Sequence, residues 1–234
     1  MRVIGLDGDD TLWHSESHFI TTTRRLGELL APYLGDDGSA AGHERAVDHL
    51  IEVERRNLAR FGYGVKAFTL SMIETAVEIS GARVSASEIQ QILDWSKELL
   101  DHPVDLLEGV AETLELLSRD HVLLLITKGD LLHQESKVAR SGLAERFASI
   151  HIVSEKDPLT YSRVLEDNRV APEEFVMVGN SVRSDVLPVL ELGAAAVHIP
   201  YHVTWELETV PGELPAGVRR LDSIVELPDL LATR

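Results

Sequence analysis

Residues 7 to 11 read Asp7-Gly8-Asp9-Asp10-Thr11, three carboxylates and a hydroxyl directly behind the apolar run Val3-Ile4-Gly5-Leu6. Further along, Thr127 closes the run Val122-Leu123-Leu124-Leu125-Ile126, Lys156 follows the run Ile150 to Val153, and Asn180 is followed five residues later by Asp185. A carboxylate cluster, a hydroxyl, a cation and an amide with a second carboxylate are suited to holding a divalent metal and a phosphoryl group. A phosphate monoester resists water because the attacking oxygen approaches a dianion, so charge must be neutralised first. In that chemistry Asp7 attacks phosphorus and forms an acyl-phosphate, dividing one difficult step into two easier ones. Asp9 protonates the leaving alkoxide and later activates the water that opens the intermediate. Thr127 donates a hydrogen bond to a phosphoryl oxygen. Lys156 balances remaining charge, a pairing worth roughly 4 kcal/mol at about 4 Å and an effective dielectric of about 20, before desolvation.

Such residues need elements that bring them to one place. The apolar runs at Val3, Val122, Phe175 and Ala194 read as buried parallel strands, and helical patterns lie between them after residue 105. That alternation is the mark of an α/β fold with a doubly wound parallel sheet, in which ligands gather at the carboxyl ends of the strands. Asp7, Thr127 and Asn180 fall at such ends. Residues 15–104 differ: Val47, Leu50, Ile51, Leu58 and Phe61 keep helical spacing, as do Ile89, Ile92, Leu93, Leu99 and Leu100. Ser85 with Glu88 forms a capping box, and breaks are expected at Gly35 to Gly42 and Phe61 to Gly64. The expected domains are a core of residues 1–14 and 105–234 and an all-helical insertion of residues 15–104. The tail from Pro211 to Pro228 is expected to be an irregular covering strand and turn.

Composition narrows the partners. The 234 residues are 44% hydrophobic and 26% charged, with a formal net charge of -17, so nucleic acid and anionic membrane surfaces are repelled. The absence of cysteine excludes disulfides and thiolate metal sites and fits a reducing compartment. No signal-peptide pattern opens the chain, and no apolar run spans a bilayer. A cytoplasmic protein is expected.

The string Asp7-Gly8-Asp9-Asp10-Thr11-Leu12, followed in order by Thr127, Lys156 and Gly179-Asn180-Ser181-Val182-Arg183-Ser184-Asp185, resembles the haloacid dehalogenase superfamily over the whole chain. It is similar to the phosphatase branch whose helical cap is inserted between the first and second motifs. The resemblance implies a Rossmann-like core, a mobile cap over the site, an aspartyl-phosphate intermediate and a magnesium ion. By that analogy the metal is held by the Asp7 side chain, the Asp9 backbone carbonyl, Asn180 and Asp185. Many relatives carry aspartate at the position of Asn180, so weaker metal affinity is expected. Dehalogenating members typically lack the carboxylate at Asp9, because halide leaves without a proton.

The reading that follows is a magnesium-dependent phosphatase of a small phosphorylated metabolite. The alternatives are a phosphomutase, a 2-haloacid dehalogenase, a receiver-like phosphoacceptor and a family member that only binds ligand. Other polar residues have blander readings. Asp10 and Thr11 fix the turn, the latter through the backbone, and Ser181 and Arg183 shape the loop. Trp13, Trp95 and Trp205 pack. Arg55, Arg56, Arg60 and Lys66 read as a solvated helix face, with one of them a candidate contact for the non-phosphoryl end of the substrate. His14 and the run His198 to His202 are secondary candidates for lining the site.

Overall fold

The computed structural model describes residues 2–35 and 40–232. The chain divides into two compact units, Met1–Glu16 with Val104–Arg234, and Ser17–Pro103. The first contains a six-stranded sheet built from β1 (Val3–Leu6), β2 (Val122–Lys128), β3 (Ser149–Val153), β4 (Phe175–Gly179), β5 (Ala195–His198) and the short β6 (Arg219–Arg220). Spatial order is β3-β2-β1-β4-β5-β6 and every pairing is parallel. This is the expected doubly wound α/β fold. The winding reverses at β1, so the crevice for a ligand lies beyond the carboxyl ends of β1 and β4.

Helices in chain order are α1 (Glu16–Leu30), α2 (Ala40–Phe61), α3 (Val65–Ser80), α4 (Ala86–Asp101), α5 (Val110–Leu117), α6 (Leu131–Ser141), α7 (Pro158–Asn168), α8 (Leu187–Glu191) and α9 (Leu227–Ala232). The period of two along each strand sorts side chains to the two faces of the sheet. Ile4, Leu6, Leu123, Leu125, Val176 and Val178 pack with Val110, Leu114 and Leu117 of α5, Val138 of α6, and Leu227 and Leu231 of α9. Leu124, Ile126, Phe175 and Met177 pack on the opposite face with Tyr161, Val164 and Leu165 of α7 and Val189 of α8. With both faces covered, the strands can be apolar throughout.

The second unit is helical and has its own core. Ala46, Leu50, Val53 and Asn57 form the buried stripe of α2 and face α3. Asn57 is satisfied there, its Nδ2 donating to Ser71 Oγ at 3.3 Å and Glu74 at 2.7 Å. Ile92, Trp95 and Leu99 of α4 close the same core with Phe68 and Met72. The Ser85 capping box is formed, with Glu88 N donating to Ser85 Oγ and Ser85 N donating to Glu88 Oε2. Chain reversal at residues 62–64 falls where the sequence placed a break. The other expected break, at Gly35 to Gly42, lies partly outside the described residues, and α2 already begins at Ala40. The tail is irregular around β6 but ends in α9, which the sequence reading did not include. Among the described residues no helix is long and apolar enough to cross a membrane.

Candidate active site

β1 ends at Leu6, and Asp7 continues its line, its N–H donating to Val178 O of β4 at 2.9 Å. The chain then coils: the amides of Thr11 and Leu12 both donate to Gly8 O, at 3.3 and 2.8 Å. Gly8 is required by close approach, since a Cβ there would lie 2.7 Å from the Trp13 ring and 3.2 Å from Thr127 Oγ1. Asp10 takes the left-handed conformation, φ 63°. Its carboxylate makes this tolerable by accepting the amides of Ser15 at 2.8 Å and Glu16 at 3.0 Å, so it anchors the start of α1 as the sequence suggested.

Thr11 departs from expectation. One turn of coil returns its hydroxyl over the strand end, where it donates to Asp7 Oδ2 at 3.1 Å and reaches Asn180 Oδ1 at 3.5 Å. It ties two site side chains together; it does not fix backbone.

Lys156 Nζ donates to Asp7 Oδ1 at 2.5 Å and to Asp185 Oδ1 at 2.7 Å. All three side chains are buried, at 2%, 9% and 1% exposure respectively. Two carboxylates around one ammonium leave an excess negative charge. Burial, offset in part by Lys156 and reinforced by Asp185, pushes the Asp7 carboxyl up to about 7. The two carboxylates outweigh burial at Lys156 and hold its ammonium protonated.

Asp9 is held separately. Its Oδ1 accepts Trp13 Nε1 at 2.6 Å and Lys137 Nζ at 2.7 Å, and its Oδ2 accepts Gln134 Nε2 at 2.9 Å. Burial opposes ionisation, but Lys137 and the other donors win and hold the carboxyl below its usual range. This is the ionised form, able to take a proton from water. Delivering a proton requires uptake first, with release of at least one donor. Trp13 therefore does more than pack, a role the sequence reading missed.

Thr127, at the end of β2, is 1% exposed, and among the described residues its Oγ1 has no hydrogen-bond partner. An unsatisfied buried hydroxyl costs about 1–3 kcal/mol, and a ligand acceptor would remove that cost. At the end of β4, Asp185 folds back so that its Oδ2 accepts Ser181 N at 2.9 Å. A Cβ on Gly179 would lie 2.2 Å from that oxygen, so glycine is needed for this approach. Ser181 Oγ accepts Ser184 N at 3.1 Å, and Arg183 donates to Leu207 O, both shaping the loop.

The structure thus joins Asp7, Lys156 and Asp185 directly and Asn180 through Thr11; Asp9 lies in an adjoining cluster. Among the described residues no group of three or more His, Cys, Asp or Glu forms a metal cage. The donors available are instead two carboxylates, an amide and a backbone carbonyl. All are hard oxygens, and magnesium is usually held by only one or two carboxylates together with substrate and water, so the set fits it. The excess negative charge on Asp7 and Asp185 fits a cation as well.

Of the secondary candidates, His14 Nδ1 is 2.6 Å from Tyr201 Oη, and His198 Nε2 is 2.9 Å from Asn180 O. In the helical unit, exposed Arg56 pairs with Glu74 and Glu78 at 3.2 and 2.7 Å. Arg55, Arg60 and Lys66 are also exposed. Trp95 is a core residue and Trp205 is half-buried.

Gln134 and Lys137 were not singled out in the sequence. The signal was present: both lie on the buried face of α6, beside Val138, where apolar residues are the rule.

The chain is similar in sequence and fold to known proteins. A relative from Pyrococcus furiosus, a glyceraldehyde 3-phosphate phosphatase, is 30% identical, with 99% of this chain and 92% of the relative covered. The crystal structure of a haloacid dehalogenase-like family hydrolase from Xanthomonas campestris is 42% identical with a TM-score of 0.85, over 100% of this chain and 91% of the other. A 2-haloacid dehalogenase from Pseudomonas syringae pv. Tomato, 24% identical with a TM-score of 0.62 over 100% and 99%, shares the fold. The family profile of haloacid dehalogenase-like hydrolases matches residues 1–193. The chain belongs to the haloacid dehalogenase-like hydrolases.

Proposed function

We propose that this hydrolase is a phosphatase of a small phosphorylated metabolite, working through an aspartyl-phosphate on Asp7. The observation that carries the reading is the second carboxylate, Asp9, oriented by Trp13, Gln134 and Lys137 two residues from Asp7. A leaving alkoxide needs a proton and a halide does not, so a fixed acid/base group favours phosphate esters.

In the first step a carboxylate oxygen of Asp7 bonds to phosphorus as the ester P–O bond breaks, and protonated Asp9 gives its proton to the departing oxygen. In the second, ionised Asp9 takes a proton from water, whose oxygen bonds to phosphorus as the Asp7 O–P bond breaks. Inorganic phosphate leaves and Asp9 is again protonated for the next cycle. Lys156 holds Asp7 in place throughout, and the Thr127 hydroxyl, without an acceptor among the described residues, donates to a phosphoryl oxygen. Asp7, the Asp9 carbonyl, Asn180 and Asp185 would hold magnesium, which supplies charge neutralisation at the phosphoryl oxygens. The helical unit Ser17–Pro103 is read as the family's cap. The Pyrococcus furiosus relative is named for glyceraldehyde 3-phosphate, which supports a small substrate and makes that compound the first to assay.

The test is turnover of p-nitrophenyl phosphate and of glyceraldehyde 3-phosphate with magnesium, with Asp7→Asn and Asp9→Asn as controls. Metal-dependent phosphate release by the parent protein, lost in Asp7→Asn, is expected. Halide release from a 2-haloacid with no phosphate release would overturn the reading in favour of a dehalogenase, and transfer within one sugar without free phosphate would make it a mutase.

A further inference from the structure

Glu208 lies in the short turn Glu206–Glu208 beyond β5, and no motif marks it. Its Oε2 accepts Ser181 Oγ at 2.6 Å and Ser184 Oγ at 2.5 Å, while its Oε1 accepts Lys128 Nζ. The direction of each bond is determined. Ser181 Oγ already accepts Ser184 N at 3.1 Å, and Ser184 Oγ accepts Lys128 Nζ at 2.8 Å. A hydroxyl has one proton, so both protons face Glu208, and an acceptor-only carboxylate satisfies all three donors. Burial raises the Glu208 carboxyl, but Lys128 and the hydroxyls outweigh it and hold the group ionised.

The backbone these hydroxyls belong to is unusual. Val182–Val186 forms a π-helical turn, a wide geometry that occurs mostly as single turns and often at functional sites. Such a turn persists where surrounding contacts over-determine it. The same segment that carries Glu208 also accepts Arg183 at Leu207 O, so it straps both sides of the turn.

We propose that Glu208 is a positioning residue: by taking the protons of Ser181 and Ser184 it holds the 182–186 turn in the form that presents Asn180 and Asp185 at the end of β4. Its effect on catalysis rests on the metal assignment above; its hold on the turn does not.

Glu208→Gln tests this at constant shape. Whichever way the amide is turned, its NH2 faces either the two hydroxyls or the Lys128 ammonium, and donor meets donor. Hydrogen exchange of the amides over residues 179–187 is expected to speed by about tenfold or more, with β1 and β2 unchanged. Magnesium affinity, titrated calorimetrically without substrate, is expected to fall by about tenfold. Adding Lys128→Met lets the Gln carbonyl face both hydroxyls and is expected to restore much of the protection. If Glu208→Gln does not fold, Ser184→Ala, which removes one hydroxyl, is expected to give a smaller rise confined to the same residues. Exchange over 179–187 equal to the parent's, or raised equally across the sheet, would overturn the proposal. No magnesium binding by the parent would count against the metal assignment, and the exchange result would still decide the role of Glu208.

Discussion

The Nζ of Lys156 lies 2.5 Å from Oδ1 of Asp7, and this contact couples the charge on Asp7 to the stability of the fold. Because Lys156 also neutralises Asp185, its loss leaves two buried carboxylates facing each other. Lys156→Met is expected to lower the unfolding free energy by about 3–5 kcal/mol near neutral pH, measured by urea denaturation. The sign with pH follows. The folded-state pKa of Asp7, already about 7, rises further without the ammonium, so stability is regained as pH falls and a carboxylate takes a proton. An unchanged denaturation midpoint would contradict this.

His133 supplies a second pH dependence of different origin. It is 7% exposed at the start of α6, and burial, with Lys137 close by, pushes its pKa from 6.5 down to about 4. The unfolded chain then binds a proton that the folded chain refuses. Stability contributed by neutral His133 is full above pH 6.5 and is lost as pH falls toward 4. His133→Gln is expected to reduce the acid-side decline in unfolding free energy by up to about 2 kcal/mol, read as the difference between the two pH profiles.

Asp9→Asn is expected to lower kcat by roughly 10²- to 10⁴-fold on an alkyl phosphate, whose leaving oxygen needs a proton. With p-nitrophenyl phosphate the first step needs less help. Rapid mixing should then show one equivalent of p-nitrophenolate released per enzyme, followed by slow turnover as water opens the intermediate unaided. Equal impairment of the burst with both substrates would argue that Asp9 has no part in protonating the leaving group.

Gly179→Ala would place a methyl group 2.2 Å from Asp185 Oδ2. Because Asp185 is fixed by both Ser181 N and Lys156, it cannot retreat without breaking one of them. A loss of about 1–3 kcal/mol in stability is expected on thermal or urea unfolding, together with loss of turnover. Parent-like values for both would show that the turn is more pliant than its contacts indicate.

How far these features could be read in advance depended on whether their signal is local. The runs at Val3, Val122 and Phe175 end where Asp7, Thr127 and Asn180 stand, so pattern alone placed three site positions at one edge of a parallel sheet. Ser85 and Glu88 announce a helix start through their own side chains. Thr11 was assigned to the turn by the same local logic, yet its hydroxyl bonds Asp7 and reaches Asn180, because the coil after β1 folds back over the strand end. The cradle of Asp9 is non-local: Lys137 lies 128 residues away and was one charge among many until α6 packed against the sheet. Glu208 was hidden more deeply, since its partners Ser181, Ser184 and Lys128 come from the ends of two other strands and nothing in its surrounding sequence points to them.

In the proposed reaction Asp7 carries the phosphoryl group. The direct measurement is acid quenching of Asp9→Asn during reaction with p-nitrophenyl phosphate and magnesium, followed by peptide mass spectrometry. One phosphoryl group on the peptide containing Asp7, absent when Asp7→Asn is added, is the predicted result. Phosphate release by the parent protein with Asp7 unmodified, and continued turnover by Asp7→Asn, would contradict it.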